Sequence, residues 1–214
     1  MRVIDLENWS RREHFALFSG MDYPYFGICA NVDLTAFYPA IKQRDVSFTV
    51  AIVYVLARVA NAIPEFQYRI RGDEVVEHEV VHPCTTLLVD EDVFTFCTFD
   101  YAEDFAVFNT HATVQIAHVK KHPSLDVGGG LDHWLFMTSI PWISFTGFIH
   151  PIHLSPVDSV PRLAWGKFFK DGERLQLPLN IQAHHALIDG VHVGRFYELV
   201  QDYLHHPDKL LDTI

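Results

Sequence analysis

The sequence predicts an α+β fold, a two-layer sandwich in which helices pack on one large mixed β-sheet. Two long segments, residues 48–63 and 103–121, have the length and apolar spacing of buried helices. Several shorter segments between and after them alternate in the manner of strands. No repeat, linker or low-complexity stretch interrupts the 214 residues, of which 49% are hydrophobic. We therefore expect one domain, residues 1–214, with one substantial core.

The N-terminal third is expected to hold a short helix, a loop and a long helix. Ser10 is placed to cap the short helix, which carries Phe15 and Phe18 on one side. Residues 20–27 contain two glycines and a proline, and these predict a loop. Residues 48–63 form an apolar run that is too long for a strand, so we expect a buried helix there.

The remainder of the chain is expected to contain most of the sheet. Alternating residues predict strands at 68–71, 74–77, 85–89, 93–99, 134–140, 142–149, 162–169 and 173–183. Residues 103–121 predict a second long helix, and residues 191–204 predict a terminal helix that ends before Pro207. Three glycines at 128–130 indicate a turn or a flexible loop, because they lack the spacing of a phosphate-binding loop.

Composition and charge exclude several classes of partner. Lys and Arg total 16 against 27 Asp and Glu, and the net charge of −11 repels a nucleic-acid backbone. The three cysteines, Cys29, Cys84 and Cys97, are an odd number without paired spacing and indicate a reducing compartment. No apolar run approaches the ~20 residues of a membrane span. We expect a cytoplasmic protein with no nucleic-acid or membrane partner.

Residues 182–190, where a predicted strand runs into the terminal helix, combine groups able to carry chemistry. One face of that strand holds Leu175, Leu177, Leu179, Ile181 and Ala183. If the alternation continues, His185 lies on this apolar face and His184 on the opposite face. A desolvated imidazole stays neutral and accepts a proton near pH 7, which makes His185 the candidate general base. Asp189 and Gly190 occupy the turn before the helix.

Two other interpretations of this segment remain open. In the first, His185 is a core histidine bonded to backbone and Asp189 only caps the helix. In the second, the pair ligates zinc, although no HExxH motif or Cys/His cluster accompanies it among the 14 histidines. We expect no metal site.

Residues 184–190 resemble the HHxxxDG signature of chloramphenicol acetyltransferases and read His184-His185-Ala186-Leu187-Ile188-Asp189-Gly190. Lipoyl-dependent acyltransferase cores share this signature in a looser form. Four further segments are similar to motifs of the former family, in the same order: Asn8-Trp9-Ser10-Arg11-Arg12-Glu13-His14-Phe15, Pro64-Glu65-Phe66, His82-Pro83-Cys84 and Pro141-Trp142-Ile143-Ser144-Phe145-Thr146. The resemblance extends from about Trp9 to Leu204 and implies a chloramphenicol acetyltransferase-like fold.

The resemblance implies transfer of an acetyl group from acetyl-CoA to an acceptor hydroxyl, without a metal. His185, the second histidine of the signature, is implied as the general base, with its tautomer held through its own backbone. Asp189 is implied to form a structural ion pair with Arg11. Thr138 stands where the family has a serine, and its hydroxyl is the implied donor to the developing oxyanion.

The resemblance also implies a homotrimer with active sites at the subunit interfaces. The acceptor-pocket positions are matched by Phe18, Phe94, Phe148, His150 and Ile152. Positions near the coenzyme are matched by Trp142 and Lys167. Three features depart from the family: His150 replaces an aliphatic residue, Ala164 replaces a water-binding threonine, and the loop at Asp126 lacks a Phe-Pro pair. These departures imply a wider and more polar pocket.

Three functions are compatible with these residues. The first is acetylation of chloramphenicol, which inactivates the antibiotic, and the second is acetylation of another small hydroxyl compound. The third is a trimeric protein that binds an apolar ligand without turnover, which the complete HHxxxDG run disfavours. A lipoyl-dependent core is expected least, since these residues include no lipoyl region or flexible linker.

Overall fold

The computed structural model describes residues 1–128 and 130–211. Its strands are β1 Arg2–Val3, β2 Tyr25–Asp33, β3 Tyr68–Arg71, β4 Glu74–Glu77, β5 His82–Leu88, β6 Phe94–Thr98, β7 Trp134–Ile140, β8 Arg162–Gly166, β9 Phe169–Asp171 and β10 Arg174–His184. Its α-helices are α1 Arg12–Ser19, α2 Phe37–Gln43, α3 Phe48–Asn61, α4 Phe105–Lys121, α5 Gly190–His205 and α6 Asp208–Leu211, and a 3₁₀ helix covers Pro64–Gln67. Among these residues, no helix is long and apolar enough to cross a bilayer.

The larger sheet has the strand order β2-β10-β8-β7-β5-β6, and β9 pairs with one end of β10. Strand β7 runs parallel to both β5 and β8, whereas the other pairs are antiparallel. A smaller antiparallel sheet has the order β1-β4-β3. Helices α3, α4 and α5 pack on the larger sheet. The predicted α+β architecture with a large mixed sheet is therefore confirmed.

Helix α3 forms the centre of the core. Ser47 precedes it in an extended conformation, and 10 of its 14 residues are buried. It packs against α4, α5 and β5, and these elements cover a helix that is apolar on all sides. The helices predicted at 48–63, 103–121 and 191–204 are confirmed, with bounds that differ by a few residues.

Two predictions for the N-terminal third are wrong. Helix α1 begins at Arg12, with Arg11 before it, and no side chain caps it, so Ser10 is not the cap. The loop predicted at 20–27 is shorter, because β2 begins at Tyr25. Strand β2 pairs with β10 along its whole length, and this partner, distant in sequence, overrides the local glycine signal.

The strand predicted at 142–149 is also wrong, because this segment contains no strand. It cannot pair with β7 or β8, the strands before and after it in sequence, since each already has two partner strands. One backbone hydrogen bond ties the segment to the sheet, from Lys167 N to Ile143 O at 2.7 Å. The loop packs so closely on Gly166 that a Cβ atom there would lie 2.8 Å from Ile143 O.

Arg69 joins the two sheets. Its side chain is fully buried and donates hydrogen bonds of 2.6 to 2.9 Å to the carbonyls of Phe66, Tyr68, Asp132 and Trp134. Four backbone acceptors compensate the burial of the guanidinium, although burial lowers its pKa to about 10. The bond to Trp134 fixes the start of β7, the strand that carries Thr138.

The three-glycine turn lies between α4 and β7. Gly128 and Gly130 have φ angles of 85° and 83°, a region that residues with a side chain rarely adopt. Asp126 accepts a hydrogen bond from Gly128 N at 2.8 Å. The predicted turn is confirmed for these two glycines, and Gly129 lies outside the described residues.

Candidate active site

The structure places most of the predicted site residues in two separate groups. The histidine cluster consists of Arg11, Phe18, His185 and Asp189, which contact one another. The aromatic cavity, with a volume of about 570 Å³, is lined by the predicted residues Phe94, Thr138, Trp142, Phe148 and His150. His185 does not line this cavity within the described part of the chain.

His185 follows directly on β10, and two aromatic rings position its imidazole. Phe18 stacks on the ring with centroids 3.8 Å apart and planes 6° apart, and Phe26 contacts it at 4.6 Å. The backbone N–H of His185 donates to Pro24 O at 2.8 Å. Nδ1 lies 2.9 Å from Asp189 Oδ1, although the angle is not that of a hydrogen bond. The resemblance implies that the backbone of His185 holds its tautomer, but Nδ1 has no hydrogen-bond partner among the described residues and faces the Asp189 carboxylate instead.

Arg11 and Asp189 form the ion pair that the resemblance implies. Arg11 Nη1 donates to Asp189 Oδ2, and the two side chains are 11% and 22% exposed. Arg11 Nη2 donates to His185 O at 3.4 Å, so the backbone carbonyl next to the ring is bonded to the guanidinium. Burial acts to raise the pKa of Asp189, but Arg11 outweighs it and the pKa lies below its usual range. Asp189 is therefore ionised at neutral pH.

The burial of the two adjacent histidines is the reverse of the prediction. His184 is 2% exposed, whereas the His185 side chain is 32% exposed in the single chain. Both faces of β10 are buried and its pairing ends at His184, so strand parity does not extend into the turn. His184 Nδ1 accepts a hydrogen bond from Ala186 N at 3.2 Å, and burial lowers the pKa of His184 to about 4. Stacking and the carboxylate, rather than burial, position His185.

Two residues behind the histidine cluster were not predicted. His192 Nδ1 accepts a hydrogen bond from Asp189 N at 2.9 Å, and its Nε2 lies 3.4 Å from Glu65 Oε1. Burial lowers the pKa of His192 against the opposing effect of Glu65. Its position three residues after Asp189 could have identified His192, because a side chain at that position reaches back to the residue that caps the helix. Among the described residues, no three His, Cys, Asp or Glu side chains are placed to hold a metal ion.

The aromatic cavity borders β7. Its walls include Phe94, Phe96, Phe136, Trp142 and Phe148. Its volume of about 570 Å³ and its aromatic walls are typical of a small-molecule site. Thr138 lies on the same wall and is partly exposed, and its role as donor to the oxyanion stays a prediction.

His150 contributes an imidazole to this wall. The residue is 8% exposed, and its ring packs edge-on against Phe148 with centroids 4.6 Å apart. Burial lowers the pKa of His150 to about 4, and the nearby Arg162 acts in the same direction. The imidazole is therefore neutral at physiological pH.

Comparison with known proteins identifies the family. The sequence model of the family described as chloramphenicol acetyltransferase matches residues 1–201. A chloramphenicol acetyltransferase of Klebsiella sp is 31% identical over 204 residues, which cover 94% of this chain and 92% of that protein. This chain belongs to the chloramphenicol acetyltransferase family. Chloramphenicol acetyltransferase 2 of Haemophilus influenzae is 31% identical over 200 residues, 92% of this chain and 94% of that protein.

A solved chloramphenicol acetyltransferase has the same fold. The comparison gives a TM-score of 0.90 at 28% identity and covers 95% of this chain and 99% of the other. The predicted chloramphenicol acetyltransferase-like sandwich is therefore confirmed. A probable dihydrolipoamide acetyltransferase from Listeria monocytogenes, with a TM-score of 0.68 at 13% identity, shares the fold alone.

Three residues singled out from the family resemblance do not line the aromatic cavity. Lys167 is exposed directly after β8, and Ile152 is half-buried. Ala164 is fully buried on β8, where it pairs with Thr138. The predicted contacts of Lys167 with the coenzyme and of Ile152 with the acceptor stay predictions.

The base and oxyanion residues expected for the chloramphenicol acetyltransferase family lie far apart in one chain. Thr138 pairs with Ala164 on β8, and Ala164 pairs with Asn180 on β10. His185 follows Asn180 by five residues. Two strand spacings and five residues along a strand separate the Cα atoms of His185 and Thr138 by roughly 15–20 Å. One chain therefore does not bring both groups to one reacting carbonyl.

Proposed function

We propose that this chain transfers the acetyl group of acetyl-CoA to a hydroxyl of chloramphenicol, with His185 as general base. Family membership supports the reaction and the acceptor. The observation that carries the proposal is the positioned imidazole: Phe18 stacks on it and Asp189 faces Nδ1, which leaves Nε2 as the accepting nitrogen. Proton abstraction from a hydroxyl requires a base held in this way.

The proposed reaction uses two groups of the protein. Nε2 of His185 takes the proton of the acceptor hydroxyl while the hydroxyl oxygen bonds to the thioester carbonyl carbon. The Thr138 hydroxyl donates a hydrogen bond to the carbonyl oxygen as that oxygen becomes negative. When the carbonyl re-forms, the C–S bond breaks and His185 returns its proton to the departing sulfur of CoA. His185 is then neutral again.

The proposal includes a homotrimer with each site between two subunits. The separation of roughly 15–20 Å between His185 and Thr138 within one chain supports it, because a neighbouring chain can supply the missing group. Exposed apolar residues beside the cavity support a subunit contact: Trp142, Ile143 and Ile149 are 64%, 58% and 79% exposed. Light scattering of the purified protein measures the oligomeric state.

Trp142 and Lys167 are proposed to bind acetyl-CoA. Trp142 borders the cavity, and Lys167 presents an exposed cation directly after β8. An indole face and an ammonium group suit the adenine and the phosphates of CoA. The proposed acceptor contacts are Phe18, Phe94, Phe148, His150 and Ile152.

Acetylation of another hydroxyl compound and ligand binding without turnover gain no support from the comparisons. We further propose a cytoplasmic enzyme, one acetyltransferase domain over residues 1–214, whose reaction inactivates the antibiotic. Free thiols at Cys29, Cys84 and Cys97 support a reducing compartment.

Release of free thiol tests the proposed reaction. With acetyl-CoA and chloramphenicol we expect drug-dependent release, and a rate ~10²–10⁴-fold lower for His185→Ala. His153→Ala, at an exposed histidine outside both groups, is the matched control and should keep the wild-type rate. Release that is independent of the drug, or equal in wild type and His185→Ala, contradicts the proposal.

A further inference from the structure

The base loop, residues 185–189, is held by hydrogen bonds from each of its backbone N–H groups. It connects the end of β10 to the start of α5. Backbone carbonyls accept from three of these N–H groups, those of His185, Leu187 and Ile188. Imidazole nitrogens accept from the other two. His184 Nδ1 accepts from Ala186 N at 3.2 Å. His192 Nδ1 accepts from Asp189 N at 2.9 Å, so a side chain of α5 completes the bonding of the loop.

The hydrogen bond from Asp189 N fixes the protonation state of His192. A ring nitrogen accepts a hydrogen bond only when it carries no proton, so Nδ1 is unprotonated and the neutral ring has its proton on Nε2. Nε2 lies 3.4 Å from Glu65 Oε1, and the His192 side chain is 7% exposed. His192 therefore bonds the base loop with one nitrogen and faces the 3₁₀ helix with the other.

The 3₁₀ helix and α5 hold His192 between two packed elements. His192 and Phe196 are four residues apart on α5, and they therefore lie on the same side of the helix. The rings of Phe196 and Phe66 stack with centroids 4.7 Å apart, and both residues are fully buried. Glu65 precedes Phe66 in the 3₁₀ helix, so the polar and the aromatic contacts join the same two elements. The imidazole of His192 links these elements to the base loop.

From these contacts we propose that His192 is a positioning residue for the transfer reaction. It acts through Asp189, whose backbone N–H it binds and whose carboxylate pairs with Arg11 and faces His185 Nδ1. Without an acceptor at position 192, the end of the base loop loses a hydrogen bond and the orientation of His185 is less well defined. The inference rests on the proposed function, because it adds a residue that positions the base of that reaction.

The test compares wild type with His192→Leu, His192→Gln and the control His205→Gln, which changes an exposed histidine of the same helix. Leucine removes the acceptor, whereas glutamine at the third helical position can accept from the backbone N–H of the capping residue. With acetyl-CoA and chloramphenicol we expect His192→Leu to lower kcat ~10–10²-fold with little change in either KM. The kcat of His192→Gln should stay within roughly threefold of wild type, and His205→Gln should equal wild type. Equal kcat in His192→Leu and His192→Gln overturns the inference.

The pH dependence of kcat/KM gives a second measurement, which decides the inference if urea denaturation shows that His192→Leu does not fold. Burial lowers the pKa of His192, an effect that Glu65 and Asp189 oppose and that Arg11 and Arg195 reinforce. Below that pKa the ring is protonated, and Nδ1 no longer accepts from Asp189 N. The general base also gains a proton in acid, so kcat/KM should fall more steeply with decreasing pH in wild type than in His192→Gln. Equal steepness overturns the inference.

Hydrogen–deuterium exchange in the base loop separates this inference from the proposed function. If wild type releases no thiol with chloramphenicol, the proposed function fails, and exchange in the peptide that covers residues 185–189 decides the inference. Exchange roughly tenfold faster in His192→Leu than in wild type, His192→Gln and His205→Gln supports it. Equal exchange in all four proteins overturns it.

Discussion

The histidine cluster and the aromatic cavity differ in the groups that they contain. In the histidine cluster, Arg11 pairs with the ionised Asp189, and the same carboxylate faces His185 Nδ1. The cavity instead has aromatic walls, and the neutral imidazole of His150 beside it is buried. In the proposed function, the motif residues position the general base and the cavity wall contacts the acceptor. On that proposal, the reaction and the acceptor preference depend on separate residues.

Mixing two inactive variants is the strongest way to test whether the two regions act across subunits. His185→Ala and Thr138→Val each remove one reacting group, and each variant alone should lose ~10²-fold or more of the rate. After unfolding and refolding in equal amounts, about a quarter of the sites in mixed oligomers would combine an intact His185 with an intact Thr138. We expect thiol release to recover to about a quarter of the wild-type rate.

The controls for this experiment are each variant refolded alone and the two mixed without unfolding. Both controls should stay inactive, because neither brings the two variants together in one oligomer. Absence of recovery in the refolded mixture would mean that His185 and Thr138 act from the same chain, against their separation of roughly 15–20 Å.

Breaking the Arg11–Asp189 pair tests how far the histidine cluster depends on its charges. Arg11→Ala leaves a mostly buried carboxylate unpaired and is expected to lower the free energy of unfolding by ~3–5 kcal/mol, measured by urea denaturation. The double variant Arg11→Ala/Asp189→Ala should cost less than the sum of the two single changes. Lys209→Ala, which breaks an exposed pair with Asp202, is the control and should cost under ~1 kcal/mol. Strict additivity of the two single changes would show that the pair is not coupled.

The sequence predicted the histidine cluster better than the sheet around it. His185 and Asp189 lie in one short motif, so local spacing and the family resemblance were enough to find them. Strand β2 was partly taken for a loop because its stability comes from β10, far away in the chain. The segment 142–149 alternates like a strand, but β7 and β8, its neighbours in sequence, each already have two partner strands.

Burial and hydrogen bonding at single side chains were the least predictable features. Strand parity placed His185 on the buried face, but the strand ends at His184, which is the buried histidine. His150 was visible in the sequence as a departure from the family. The bonds that Gln182, on β10, makes with the backbone of His150 depend on an element distant in sequence and could not be predicted from local spacing.

The dependence of stability on pH tests whether His150, beside the cavity, is a buried neutral imidazole. The folded-state pKa of His150 is about 4, below the ordinary value of 6.5, so the unfolded chain binds more protons between these values. Stability therefore falls as pH decreases from about 6.5 towards 4. Relative to His150→Ile, wild type should lose about 2 kcal/mol between pH 7 and pH 5, measured by urea denaturation at each pH. His184 is unchanged in both proteins, so its contribution cancels.

His153→Ile is the control for this measurement, because it removes an exposed histidine from the same loop. Its stability should follow that of wild type at both pH values. Parallel pH dependence of wild type and His150→Ile would contradict a buried neutral imidazole at position 150.

The smallest expected effect is that of Thr138→Ser. Comparing it with Thr138→Val shows whether the hydroxyl or the shape of the Thr138 side chain is needed. Thr138→Ser keeps the donor but frees χ1 among three rotamers, so kcat should fall by no more than about threefold. Thr138→Val keeps the branched shape and removes the donor, and its kcat should fall ~10²–10³-fold with little change in KM. If Thr138→Ser loses as much kcat as Thr138→Val, the methyl group rather than the hydroxyl is needed. Thr138 would then act by packing beside the cavity, and the oxyanion would require another donor.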